Sequence, residues 1–458
     1  YNDTEEIMKA LAAYVEDALV DADDFDMTVC EQSIMKGKLS GREVCLLLYE
    51  QGVLKKKGDS DYTALKSGSL NSYDFIRRKL KSLQITPGQI GMDPCSGSVV
   101  ITDSKTGKVK ALVSYPGYDS NRLSNGTDSG YYRQLANSAS TPLYNQALKH
   151  KTAPGSTFKP VSALAGLNEK AITTSAVINC TGLYDKITPP AKCWKYPDRH
   201  GARTVSTAIE ASCNYFFYEL GYRMGIDPVI KYAKAYGLGV KTGIELSGEA
   251  EGIVDLKKQC QDLYGQQWQL GDTLSAVIGQ SYNDYTPIQI ARYVSMLANG
   301  GKSVDVTLIK SITDADGNKI SKDEYEKKIK EKLGIEDIPE VKDLNIKKEN
   351  LDAILKGMKG VTSETGGTAY YVFSDLDIDI GGKTGSAETG IKNQVNGWFA
   401  GFAPYDDPEI AIVVFIENAG SGGNVGDTAK TIINEYLGMN AKDVKEDLNA
   451  IPSTQINN

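Results

Sequence analysis

Pro154-Gly155-Ser156-Thr157-Phe158-Lys159-Pro160 opens onto the apolar run Val161-Ser162-Ala163-Leu164-Ala165. Pro-Gly is a turn signal and the residues that follow have helical spacing, which predicts a helix start. Ser156 and Lys159 stand three apart in its first turn and so share a face. A serine hydroxyl is a weak nucleophile at neutral pH, and a lysine kept neutral beside it takes its proton. The pair is a candidate nucleophile with its own base. Taken alone, the spacing equally suits a capping serine followed by a solvated lysine, and Ser33-Ile34-Met35-Lys36 repeats it.

Two motifs downstream change that balance. Ser212-Cys213-Asn214 lies in Ala208-Ile209-Glu210-Ala211-Ser212-Cys213-Asn214-Tyr215-Phe216, and Lys383-Thr384-Gly385 lies in Ile380-Gly381-Gly382-Lys383-Thr384-Gly385-Ser386-Ala387-Glu388. Other copies exist, and context separates them. Lys105-Thr106-Gly107 sits between two strand-like runs and reads as a hairpin turn ahead of the nucleophile. Lys241-Thr242-Gly243 follows the Gly-rich Tyr236-Gly237-Leu238-Gly239 and reads as loop. Lys383-Thr384-Gly385 opens three strand-like segments, 380–389, 397–402 and 409–415, which predict an antiparallel meander. A strand edge there offers backbone N–H and C=O groups to an extended peptide.

Ser-x-x-Lys, Ser-x-Asn and Lys-Thr-Gly, in that order, resemble the signature of penicillin-binding proteins and serine β-lactamases. The resemblance extends through 98–121, Asn145-Gln146-Ala147, Gly279-Gln280-Ser281-Tyr282, Thr286-Pro287-Ile288-Gln289-Ile290-Ala291 and Trp398-Phe399-Ala400-Gly401-Phe402-Ala403-Pro404, covering about residues 90–440. No glycosyltransferase-like region accompanies it, so the chain looks like a class B, monofunctional member. The resemblance implies an α/β (α+β) fold, the penicillin-binding transpeptidase and serine β-lactamase-like architecture of an antiparallel sheet flanked by helices. We expect a remnant of an N-terminal pedestal or linker at 1–90, the transpeptidase domain at 91–440 and a polar tail at 441–458.

The family implies a role for each motif residue. Ser156 attacks the carbonyl between the last two D-alanines of a peptidoglycan stem peptide, with Lys159 as base. Ser212 relays a proton to the leaving amine, and Asn214 orients Lys159 and bonds the substrate amide. Lys383 offers positive charge to the substrate carboxylate, and Thr384, Gly385 and Ser386 form the substrate-binding strand. The backbone N–H groups of Ser156 and Ser386 form the oxyanion hole, where losing one donor typically costs on the order of a hundredfold to a thousandfold in rate. An amine from a neighbouring stem then captures the acyl-enzyme. The expected partners are stem peptides ending in D-Ala-D-Ala, β-lactam antibiotics, and a cell-wall synthesis complex with a glycosyltransferase. The family also implies the extracytoplasmic face of the bacterial cell membrane and an anchor upstream of Tyr1. A D,D-carboxypeptidase, a β-lactamase-type hydrolase and a penicillin-sensing or non-catalytic binding module are the alternatives.

Composition agrees with a large mixed domain plus a smaller region. The chain has 458 residues, 41% hydrophobic and 24% charged, with a formal net charge of −8 that argues against a nucleic-acid partner. No run of 18 apolar residues occurs.

The chemistry needs no cofactor, yet the cysteines raise a second question. Seven are present, an odd number, so they do not all pair within one chain. Cys180, Cys193 and Cys213 cluster in sequence near His200, one of two histidines, with Asp198 close by. Thiolate, imidazole and carboxylate suit a structural, tetrahedral Zn2+. The ligand set read here is Cys180, Cys193, Asp198 and His200, with Cys213 as the alternative to Asp198, because Cys213 sits between two site-facing polar residues and points into the core. A Cys180–Cys193 disulfide and a set of unpaired thiols are the competing readings.

Overall fold

The computed structural model describes position 33, positions 36–82, 84–85 and 95–439, the last without 125, 127, 139, 254, 337, 392 and 393. The polar tail expected at 441–458 lies outside the described residues, as do positions 1–32. The chain divides into two compact units, Tyr1–Pro94 and Cys95–Asn458.

The described part of the first unit is three short helices, α1 (Gly41–Glu50), α2 (Ser60–Ser67) and α3 (Ser72–Lys81). Ser40, Asp59 and Asn71 cap their starts, each side chain accepting a backbone N–H that the helix leaves unpaired. Leu48, Leu65 and Phe75 form its small core. Buried Lys79 is neutralised there by Asp59 at 2.6 Å and Asp61 at 3.2 Å.

The second unit is built on a five-stranded antiparallel sheet. Its strands are β1 (Gly97–Asp103), β2 (Val109–Tyr115), β3 (Gly381–Glu388), β4 (Val395–Ala403) and β5 (Ile410–Ile416), in the order β2-β1-β5-β4-β3. The predicted meander is therefore present, and the predicted turn at 105–107 joins β1 to β2. Gly107 adopts a φ of +79 there, a conformation that favours glycine. Consecutive strands β3, β4 and β5 pair with neighbours, and β1 closes against β5 with Val99 opposite Val414. Strands β4 and β5 are almost wholly buried, which explains their unbroken apolar sequence.

The helices of this unit that position the site include α4 (Lys159–Asn168), α5 (Val205–Glu210), α6 (Asn214–Met224), α7 (Pro287–Ala298), α8 (Lys348–Ser363) and α9 (Gly426–Tyr436). Helix α7 packs on β1, β4 and β5 and is buried along nearly its whole length, as its apolar sequence requires. Its Ser295 hydroxyl meets that of Thr102 at 2.7 Å, so the two buried hydroxyls satisfy each other. Helix α8 packs on α5 and β3. The polar segment after Gly301 contains a small hairpin, Ile312–Thr313 with Lys319–Ile320, and the exposed-faced helix Lys322–Leu333. Among the described residues no helix is long and apolar enough to cross a membrane.

Candidate active site

Ser156 lies in a single 3-10 turn, Gly155–Phe158, and Lys159 is the first residue of α4. In a 3-10 turn residues i and i+3 eclipse, so the pair is aligned as the local spacing predicts, although the α-helix begins three residues later than Ser156. Gly155 makes the turn possible. Its φ is +53, and a Cβ there would stand 2.5 Å from the Ser386 carbonyl oxygen. Its N–H donates to the Gly279 carbonyl at 2.9 Å. Gly385 repeats the close approach from the other side, since a Cβ on it would meet the Pro154 carbonyl at 2.7 Å. Glycines on both segments thus let the Ser156 turn lie directly against the edge strand β3. The Ser156 side chain is half-buried, and its hydroxyl has no hydrogen-bond partner among the described residues.

Lys159 is fully buried and its ammonium position is saturated with acceptors. Nζ donates to the Ser212 carbonyl at 2.8 Å, to Ser212 Oγ at 3.0 Å and to Asn214 Oδ1 at 2.6 Å. Burial pushes the Lys159 pKa down to about 7, against the opposing pull of the Cys213 and Cys193 sulfurs. Lys383 on β3 is equally buried and reaches the same hydroxyl, Ser212 Oγ, at 3.0 Å, with a second bond to the Thr384 carbonyl at 3.0 Å. Burial, and then the neighbouring Lys159, hold the Lys383 pKa well below the ordinary lysine value.

Ser212 ends the short link between α5 and α6 with a φ of +50, a conformation that is strained for a residue with a Cβ. This turn presents Ser212 and Asn214 to Lys159. On β3, Thr384 Oγ1 bonds Thr368 Oγ1 at 2.6 Å, and Ser386 Oγ accepts from the Gly422 N–H at 2.9 Å. Gln280 Nε2 donates to the Ser386 carbonyl at 3.1 Å. The structure therefore brings Ser156, Lys159, Ser212, Asn214, Lys383, Thr384, Gly385 and Ser386 into one region.

The cysteine cluster lies on the other side of the same link. One ligand atom each from Cys180, Cys193, His200 and Cys213 lies within 4.8 Å of all the others, and all four residues are buried. His200 Nδ1 stands 3.4 Å from Cys193 Sγ and 3.7 Å from Cys180 Sγ. Hydrogen bonding from the Cys213 thiol lowers the Cys180 pKa to about 6 and the Cys193 pKa to about 3, at the expense of Cys213, which is pushed up. Asp198 is exposed and outside this group, which corrects the ligand set read from the sequence. The reason is the strained turn at Ser212, which sends Cys213 to the face opposite its two neighbours. Cys180 and Cys193 are free thiols, so the disulfide reading does not describe this structure. The donor set fits a tetrahedral thiolate–imidazole metal site.

Sequence reasoning missed two contacts. Gln280 was noted only as part of a matching segment, not as a partner of Ser386. Trp194 was not singled out, yet its Nε1–H donates to the Ser212 carbonyl at 2.9 Å.

Residues 97–437 match the family model of the penicillin binding protein transpeptidase domain. The peptidoglycan D,D-transpeptidase MrdA of Haemophilus influenzae is 32% identical over 368 residues, covering 76% of this chain and 54% of that protein. Among solved structures, Pseudomonas aeruginosa PBP2 in complex with WCK 5153 has a TM-score of 0.67 at 31% identity, covering 74% of this chain and 71% of that one. Helicobacter pylori PBP2 in complex with MreC has a TM-score of 0.65 at 25% identity, covering 75% and 60%. The chain spans a little over half the length of the curated relatives it matches, 54% and 57% for the first two.

Proposed function

The chain belongs to the penicillin-binding protein transpeptidase family, in its class B branch, and we propose that it cross-links peptidoglycan stem peptides as a D,D-transpeptidase. The observation that carries this reading is the convergence of Lys159 and Lys383 on the single hydroxyl of Ser212, with Ser156 in the turn that leads into Lys159.

On this reading an extended stem peptide adds to the open edge of β3, with its terminal carboxylate near Lys383 and Thr384. Neutral Lys159 takes the Ser156 proton as Oγ attacks the carbonyl of the penultimate D-alanine. The backbone N–H groups of Ser156 and Ser386 receive the developing oxyanion. The tetrahedral intermediate collapses, the C–N bond breaks, and the proton passes through Ser212 to the departing D-alanine amine. An acceptor amine then attacks the ester, gives up a proton along the same path, and releases Ser156. A β-lactam enters the same sequence, but its leaving amine stays tethered, so the ester persists.

A hydrolase would need a base for the deacylating water. Glu169, the acid nearest Lys159 in sequence, is instead on the surface, bonded to Lys231 at 2.6 Å and Tyr232 at 3.2 Å. No carboxylate bonds Ser156, Lys159 or Asn214 among the described residues. This favours a long-lived acyl-enzyme over turnover.

The reading includes a structural Zn2+ held by Cys180, Cys193, His200 and Cys213. It would supply only rigidity, fixing the loop around Cys193 and His200 to the Ser212–Asn214 link. It also includes membrane attachment on the extracytoplasmic side and work within a wall-synthesis complex with a glycosyltransferase; the complex of the Helicobacter pylori relative with MreC supports assembly with a further protein.

The test is an intact-mass time course with excess benzylpenicillin, followed by peptide mapping. A one-drug adduct on Ser156 that lasts many minutes is expected. Rapid loss of the adduct with drug turnover would replace this reading with a β-lactamase, and an adduct elsewhere would remove Ser156 from its role.

A further inference from the structure

Trp194 lies outside all three motifs and its side chain is 57% exposed. At that exposure water satisfies an indole N–H well enough. Nonetheless Nε1–H points inward, 2.9 Å from the Ser212 carbonyl and 3.3 Å from the Ala211 carbonyl. The Ser212 carbonyl already accepts from Lys159 at 2.8 Å. A carbonyl oxygen has two lone pairs, and here both are engaged, one from the buried side and one from the solvent side.

That carbonyl belongs to a residue with a φ of +50. A strained conformation persists only where its surroundings over-determine it. Rotation about the Ser212 N–Cα bond would relieve the strain and would carry the carbonyl off Lys159. The two donors oppose that rotation together. The body of the Trp194 ring has a separate task, since it stands edge-on to His200 with ring centroids 5.1 Å apart.

We propose that Trp194 is a positioning residue for the reaction. Its indole N–H pins the Ser212 carbonyl from outside, and this keeps Lys159 seated and Ser212 Oγ aimed between the two lysines. The inference rests on the transpeptidase reading above. Among the described residues no hydrogen bond of Trp194 reaches Thr384, Gly385 or Ser386, so its effect is expected on the chemical step and not on docking of the acyl donor. The ring body and the N–H are separable, which makes the role testable.

The experiment follows acylation by a fluorescent penicillin over a range of concentrations, so that saturation separates the binding constant from the first-order acylation rate. Three proteins are compared: wild type, Trp194→Phe, and Trp194→benzothienylalanine, in which sulfur replaces the N–H without changing the ring's shape. Loss of one hydrogen bond to the positioned carbonyl should lower the acylation rate about tenfold in both variants and leave the binding constant within about twofold. Thermal midpoints of the benzothienylalanine protein should stay within about 2 °C of wild type. Equal acylation rates in wild type and the benzothienylalanine protein would overturn the proposal, as would weakened binding with an unchanged rate. If Trp194→Phe unfolds, the benzothienylalanine protein decides alone. Failure of wild type itself to acylate at Ser156 would sink the transpeptidase reading, an outcome distinct from acylation that ignores the N–H.

Discussion

Lys159 meets Ser212 twice, at the carbonyl oxygen (2.8 Å) and at Oγ (3.0 Å), although the two residues are 53 apart in the chain. The proposed base is thus held by both the backbone and the side chain of one strained residue. Much of the behaviour expected of this protein follows from that grip.

Acylation should depend on pH through Lys159. Its pKa is lowered to about 7 by burial, and only the neutral amine accepts a proton from Ser156. The rate of acylation at low drug concentration is expected to rise about tenfold per pH unit below 7 and to level off above it. A stopped-flow profile from pH 5.5 to 9 checks this. A flat profile would mean that Lys159 is not the base.

Replacing the base should stabilise the fold. The unfolded chain holds the Lys159 proton up to its ordinary value of 10.5, and the folded chain only to about 7. Stability therefore rises with pH across that window, and the full penalty of the buried charge is present below pH 7. Lys159→Met removes the penalty, so its thermal midpoint at pH 6 is expected to equal or exceed that of wild type while acylation falls by about a thousandfold or more. A clear drop in the midpoint at pH 6 would contradict this account.

Gly155 is expected to tolerate no side chain. An alanine there would combine a φ of +53 with a Cβ 2.5 Å from the Ser386 carbonyl. Such strain costs about 1–3 kcal/mol, and here its relief would push Ser156 away from β3. Gly155→Ala should lower both the melting temperature and the acylation rate. A variant that matches wild type in both measurements would mean the turn and the strand are free to separate.

The thiol–imidazole cluster gives a prediction of its own. Metal analysis of protein never exposed to chelator should find about one zinc per chain. Cys193→Ser should lose it and melt lower, whereas Asp198→Ala should keep it. Zinc lost from the Asp198 variant would restore the ligand set first read from the sequence, and zinc retained in the Cys193 variant would contradict both sets.

The parts of the site that could be read in advance are those whose chemistry is local. Ser156 with Lys159, and Lys383 through Ser386, are short runs whose residue types and spacing carry the chemistry themselves. The β3–β4–β5 meander was legible for the same reason, since each strand is a continuous apolar or glycine-rich run. What escaped was non-local or directional. Trp194 acts on a backbone carbonyl 18 residues on, and a carbonyl leaves no mark in the sequence. From the sequence, Asp198 is preferred to Cys213 because Cys213 points into the core, and the left-handed turn at Ser212 leaves no mark there. The pointing of Cys213 into the core was read correctly, but the core at that place is where Cys180 and Cys193 lie. The small hairpin at 312–320 was hidden because its two paired residues on each side are too few to show alternation.

Lys383 has one more consequence. Burial and the neighbouring Lys159 hold its pKa well below the ordinary lysine value, and that second amine sits beyond the same hydroxyl. On the proposed function, a carboxylate docked beside it would raise that pKa again and favour the protonated Nζ. Recognition of the peptide's end is then an exchange with the solvent as much as a fit. The ligand supplies the reason for its own counter-ion to exist, and a peptide capped as an amide, however well shaped, arrives without it.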